Sequence, residues 1–189
     1  YAGGALPNAA VNWTVQASPG QFTPPNHAEF SFGTWTPWWK RSPHHAKETR
    51  HFSGSTNALG IQKIKLDFTD MNPPRAMAIH GEATVTDVNR QRWTSSTHLL
   101  VHPATHYVGL RSLTSFVPRG ESIAVDAVIT DLDGQRIAGQ PIEMVAQRLA
   151  WTKKKGKWLE EVADKQTCTL VSASEPKTCR FETNEGGRY

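Results

Sequence analysis

The stretch Tyr107–Leu149, YVGLRSLTSFVPRGESIAVDAVITDLDGQRIAGQPIEMVAQRL, reads as strand, turn and strand. Ile123, Val125, Ala127 and Ile129 alternate with Ala124, Asp126, Val128 and Thr130, the period of two that marks a strand with a buried face. Asp131-Leu132-Asp133-Gly134 follows, and its residue types tolerate the positive φ of a tight turn. A second alternating run places Ile142, Met144 and Ala146 against Glu143, Val145 and Gln147. Leu149 and Trp151 then break the phase, which predicts a bulge near Arg148.

Working outward, the first residues of the chain repeat this unit. Gly3 aligns with Gly134, Leu6 with Ile137, Val11 with Ile142 and Trp13 with Met144. Val11, Trp13, Val15 and Ala17 alternate as a strand, and so do Ile64, Leu66 and Phe68. Met77 to Val85 and Trp93 to Val101 form a closing hairpin that ends at His102-Pro103, where proline has no N–H to extend a ladder. The boundary between two domains is therefore expected at Pro103. The first, 1–103, is expected to lack its opening strands and the second, 104–189, its closing ones. Further short strands are expected over 158–164, 167–171 and 178–182.

Residues 18–60 break the alternation. Five prolines and the aromatics Phe22, Phe30, Phe32, Trp35, Trp38 and Trp39 lie within this span, which reads as a long loop of the first domain. Folded back over a sandwich or against the adjacent domain, such a loop is structural. As a platform, Trp35, Trp38 and Trp39 would stack on sugar or on a partner surface. His27, His44, His45 and His51 share the span without the spacing or the Cys/Asp/Glu companions of a metal site. Lys153, Lys154, Lys155 and Lys157, flanked by Trp151 and Trp158, read as a hairpin tip: a solvated turn, or a small contact for an anionic surface. Cys168 and Cys179 fall on inward positions of neighbouring runs, with Ser172–Glu175 as a hairpin loop between them. They read as a cross-strand disulfide in an oxidising compartment, two buried thiols being the other arrangement.

Seven Trp, seven Phe and three Tyr in 189 residues supply enough apolar bulk for a folded chain. The net charge of +4 is spread along the sequence and does not point to nucleic acid. No run approaches the roughly 20 apolar residues of a membrane helix. Nucleophile elbow, phosphate loop, zinc helix and dinucleotide fingerprint are all missing from the sequence. Many short strands with turn signals and a repeat predict tandem antiparallel β-sandwiches, a class that binds or spaces, with no catalytic, cofactor or metal residues to assign.

The stretches YAGGALPNAAVNW (1–13), TPPNHAEFSFGTWTPWW (23–39), EATVTDVNRQRWTSSTHLLVHPATHYVGLRS (82–112) and VDAVITDLDGQRIAGQPIEMVAQRLAW (125–151) resemble the macroglobulin-domain array of bacterial α2-macroglobulin-like proteins. The resemblance implies fibronectin-III-like seven-stranded sandwiches in a large endopeptidase inhibitor. In that family a protease cuts a bait region, the array rearranges and the protease is trapped, in many members through a Cys-Gln thioester. Here Cys168 is followed by Thr169-Leu170-Val171 and Cys179 by Arg180-Phe181-Glu182, so the thioester motif is absent and the chain reads as scaffold. The resemblance further implies a periplasmic or cell-envelope address with a lipid-anchored parent. The implied partners are target proteases, other macroglobulin domains and a penicillin-binding-type peptidoglycan synthase. A cell-surface adhesin or carbohydrate-binding module, using Trp35, Trp38 and Trp39, is the other reading.

Overall fold

The computed structural model describes residues 4–34, 48–67 and 74–189, and every regular element among them is a β-strand. In chain order these are β1 (Ala10–Pro19), β2 (Ser31–Phe32), β3 (Glu48–Ser55), β4 (Met77–Thr86), β5 (Arg92–Val101), β6 (His106–Ser112), β7 (Ser122–Asp131), β8 (Pro141–Lys154), β9 (Lys157–Val171) and β10 (Lys177–Glu182). They form three antiparallel sheets, ordered β3-β1-β4-β5, β10-β7-β6-β2 and β8-β9. The chain is all-β, with its sheets in two compact units of the β-sandwich kind. One unit groups Tyr1–Phe22 with Thr36–Pro103, the other Thr23–Trp35 with Ala104–Tyr189.

The second unit is a two-layer sandwich. Alternation in β7 and β8 sends Ala127 and Ile129 from one sheet against Ile142 and Met144 from the other, with Cys179 and Phe181 of β10 completing the buried cluster. Each large apolar side chain buried in this way contributes about 1.5–3 kcal/mol. The register of β8 on β9 shifts between Arg148 and Leu149, the bulge that the phase change predicts. At Gly134 the chain turns with φ +82°, and a Cβ there would lie 2.2 Å from the Pro25 carbonyl oxygen. Conformation and close approach both require glycine at that position.

In the first unit, paired residues share a face. The inward rows run Val85–Val11–Gly54, Ala83–Trp13–Phe52 and Ile79–Ala17–Glu48 across β4, β1 and β3. Val15, Ala17, Met77 and Ile79 are buried there, against Phe52, Ile64, Leu66 and Val101.

The repeat has a three-dimensional counterpart. Asn8 N–H donates to Thr56 O (3.1 Å) and Thr56 N–H to Ala9 O (3.0 Å), while the Thr56 hydroxyl accepts from Ala9 N–H (2.9 Å). In the second unit Gly139 N–H donates to Ser172 O (2.8 Å) and Ser172 N–H to Gln140 O (2.8 Å), while the Ser172 hydroxyl accepts from Gln140 N–H (2.9 Å). Asn8 and Ala9 stand to Gly139 and Gln140 as Gly3 stands to Gly134 in sequence. The hairpin registers agree as well, with Trp13 opposite Phe52 and Met144 opposite Cys168.

Four expectations are corrected. The span 18–60 contains β3, a strand with too many polar residues to alternate, held at a sheet edge by its ladder to β1. Part of that span belongs to the second unit, because β2 pairs with β6. Ile64 and Leu66 do pack inward, but among the described residues 61–67 joins no ladder; Phe68 lies outside the described residues. The expected strands 158–164 and 167–171 are one strand, β9, since Lys165 and Gln166 continue its ladder to Gln147 and Ala146.

Cys168 and Cys179 form a disulfide with Cα atoms 6.1 Å apart, though not across a hairpin. Cys168 sits on β9 and Cys179 on β10, which belong to different sheets, so the bond crosses the sandwich. Replacing both cysteines by alanine should cost the second unit about 2–3 kcal/mol, as expected for a short closed loop. Urea unfolding checks this, and reductant should lower the midpoint of the native chain to that of the double variant while leaving the variant unmoved.

Candidate functional site

Three places concentrate features that packing alone does not account for. The first is a strap in the second unit. Pro24 and Phe30 are buried, and so is His27, whose Nε2 lies 3.0 Å from the Gly134 carbonyl and whose ring meets Phe30 and Phe32 edge-on. The Arg111 guanidinium stacks 4.7 Å from the Phe30 ring centroid and donates to Asp126 Oδ2 (2.7 Å). Thr178 donates to the other carboxylate oxygen (2.7 Å). These hydrogen bonds from Arg111 and Thr178, with the nearby positive charge, hold the buried Asp126 carboxyl below its usual range.

The second place is an apolar cleft of about 490 Å³ in the first unit, lined by Gly4, Ala5, Leu6, Thr56, Gly60, Val85 and Trp93. Trp93 is 58% exposed although it lies on the inward face, opposite Val85. Leu99, opposite Ile79 on that face, is 57% exposed. Sequence patterning gives Leu99 as an inward residue without revealing its exposure, since alternation assigns a face and not its degree of burial.

The third is the arm formed by β8 and β9 beyond the bulge. Lys155 and Gly156 turn it with φ of 49° and 78°, the two left-handed residues of a tight hairpin. Trp151 pairs with Glu160 and Lys153 with Trp158, so both tryptophans share one face, at 65% and 63% exposure. Lys154 pairs with Glu161 on the other face, and Arg188 with Glu160. The pairing with Lys154 and the Thr152 hydroxyl hold the Glu161 carboxyl below its usual range.

Of the residues expected to form a platform, Trp35, Trp38 and Trp39 lie outside the described residues, as do His44 and His45. His27 and His51 are far from a common centre in role: His27 serves the strap, while His51 faces Thr14 across β1 and β3 at 3.3 Å. His80 and His98 stack across β4 and β5 with centroids 4.4 Å apart, a pair that sequence reading does not single out. Among the described residues no group of three or more His, Cys, Asp or Glu side chains could hold a metal ion.

No family model matches the sequence. Circularly permutated Ras protein 2 of Dictyostelium discoideum is 27% identical over 115 residues, which make up 59% of this chain and 3% of that protein. In structure, the chain is similar to Escherichia coli alpha-2-macroglobulin in its native conformation, with a TM-score of 0.58, 14% identity, and coverage of 97% of this chain and 13% of that one. Trypsin-activated alpha-2-macroglobulin of E. coli gives 0.60 at 14% identity, again over 97% and 13%. Salmonella alpha-2-macroglobulin reacted with methylamine gives 0.57 at 14% identity, over 98% and 14%. The chain thus spans a small part of each protein that it resembles. The likeness is one of fold, an all-β chain of macroglobulin-type sandwiches.

Because the Asp126 carboxyl is depressed in the fold, its contribution to stability is complete above the ordinary carboxylate range and is lost as pH falls through its folded value. Asp126→Asn should cost about 1–3 kcal/mol at neutral pH, where Arg111 loses a charged partner. It should also flatten the fall in stability below about pH 4. Urea midpoints between pH 2 and 7 for the two proteins test both expectations.

Proposed function

We propose that the chain is a scaffold portion of a bacterial alpha-2-macroglobulin-like endopeptidase inhibitor, its two macroglobulin-type domains dividing near Pro103. The observation that carries this reading is the resemblance in fold, over nearly the whole chain, to bacterial alpha-2-macroglobulin in both native and trypsin-activated conformations, at TM-scores of 0.58 and 0.60. Sandwich units that keep their fold suit an array that rearranges, since stiff cores are what such an array needs. The sandwich core, the strap and the Cys168–Cys179 bond supply that stiffness in the second unit. The role proposed for the whole protein is entrapment: cleavage of a bait elsewhere releases the array, which closes on the protease.

A periplasmic or cell-envelope setting, with a lipid anchor on the whole protein, belongs to the same proposal, and a disulfide suits an oxidising compartment. Its partners would be target proteases, neighbouring macroglobulin domains and a penicillin-binding-type peptidoglycan synthase. The test uses the longest natural protein that carries this chain, treated with elastase or trypsin. Small-angle scattering should report a large gain in compactness after a single cut outside these 189 residues. The captured protease should lose activity on large protein substrates while keeping it on short peptides. A cut that leaves the shape unchanged overturns the entrapment role.

A further inference from the structure

We propose that the arm of β8 and β9 beyond the bulge docks on an anionic lipid surface, its two tryptophans entering the headgroup layer and its unpaired lysines meeting lipid phosphates. The inference is independent of the entrapment role.

The register divides the arm into two faces. Leu149, Trp151 and Lys153 lie opposite Val162, Glu160 and Trp158 on one of them. Ala150, Thr152 and Lys154 lie opposite Glu161, Leu159 and Lys157 on the other. The first face carries both indoles and Val162, all more than half exposed. Trp158 is level with Lys153, and Trp151 lies two residues farther from the turn, so the indoles are spaced about 7 Å along the arm. Charge alone would keep such a strand pair soluble. Two indoles on one face call for a surface that is dry on one side and wet on the other.

Charge is distributed just as unevenly. Both acids of the arm are taken, Glu161 by Lys154 and Glu160 by Arg188. Among the described residues Lys153, Lys155 and Lys157 have no acidic partner. Three uncompensated positive charges therefore gather around the Lys155-Gly156 turn. Lysine stems lie along an apolar boundary while their ammonium groups reach into the polar layer. Tryptophan settles at headgroup depth, with its ring partly dry and its N–H wet. An aromatic face with one lysine on it and two at its end is complementary to a bilayer with negative headgroups. A second copy of the chain is the poorer partner, because two like-charged tips repel. Single-stranded nucleic acid is served by a basic groove that tracks its backbone, whereas these lysines crowd at one turn.

The test sediments the full 189-residue chain with vesicles of phosphatidylcholine, either alone or with about 30% phosphatidylglycerol. At about 0.1 M salt the mixed vesicles should bind at least tenfold more tightly, and about 0.5 M salt should release most of the chain. Lys153→Gln, Lys155→Gln and Lys157→Gln together should weaken binding about a hundredfold, roughly fivefold for each lysine. The same loss of charge at the exposed Lys63, Lys65 and Lys177 should change it less than about twofold. Lipid brominated near the headgroup should quench tryptophan fluorescence. Trp151→Ser with Trp158→Ser should remove that quenching and weaken binding by about tenfold or more. All these positions are exposed, and an unchanged urea midpoint confirms that each variant is folded. Absence of binding, equal binding to uncharged vesicles, an equal loss in the control triple or quenching that survives in the tryptophan variant would each overturn the proposal. Tighter binding of a single-stranded oligonucleotide at the same salt would overturn it in favour of nucleic acid.

Discussion

Strand β7 is hydrogen-bonded along both edges, to β6 and to β10, and covered on both faces. One face meets Ile142 and Met144 across the sandwich. The other presents Asp126, a buried carboxylate that must have partners, because a charge removed from water without them would be prohibitively costly. Arg111 from β6 and Thr178 from β10 supply those partners, and Phe30 covers the guanidinium. The strap is consequently tied to the sheet by electrostatics as well as by burial. The turn that follows β7 makes the second tie, since Gly134 lets Pro25 approach and offers its carbonyl to His27. Most of the second unit is thus organised by what one strand needs on each of its four sides.

Legibility in the sequence follows from the same physics. Strands with one wet and one dry face, such as β1, β4 and β8, declare themselves by alternation. Strand β3 does not, because its place is fixed by a backbone ladder, and its side chains are Thr49, Arg50, His51 and Ser53 as readily as any others. The segment 61–67 errs in the opposite direction, alternating like a strand because Ile64 and Leu66 face a core while no described neighbour completes its ladder. Cysteine pairing could be read from two inward positions near each other, but the route of the bond could not. Whether the chain between them turns back as a hairpin or crosses to the other sheet is settled by β10 pairing with β7, a contact with residues more than forty positions earlier. The strap is the least legible part, since its prolines and aromatics carry no period and all of its partners are distant in sequence.

The two units show how one repeated hairpin can have different surroundings. In the second, the hairpin has a full sheet laid against it and a disulfide fastening the layers. In the first, the same register and the same hydroxyl bonds support a wider sheet, extended by β4 and β5, with only Ile64 and Leu66 described as packing from the opposite layer. Local sequence determines the hairpin of β8 and β9, whereas β1 and β3 pair at separations above thirty residues, with β2 between them in the chain. What lies over either pair depends on strands contributed from elsewhere, and that is where pattern reading loses its hold.

Exposed apolar surface occurs in both units and is treated differently in each. On the arm of β8 and β9, Trp151 and Trp158 are accompanied on their own face by Lys153 and Glu160, with Lys155 and Lys157 at the tip. Positive charge there opposes self-association of two like arms, the usual guard on an exposed strand pair. The inward rows of β4 and β5 have no such guard. From Trp93 to Leu99 every inward residue is uncharged, and charge appears on the opposite face, at Arg92 and Glu82. A surface intended for water would be expected to carry lysine or glutamate at some of these positions. Charge is thus kept off one face and retained on the other, the alternation of an antiparallel strand pair with one apolar side.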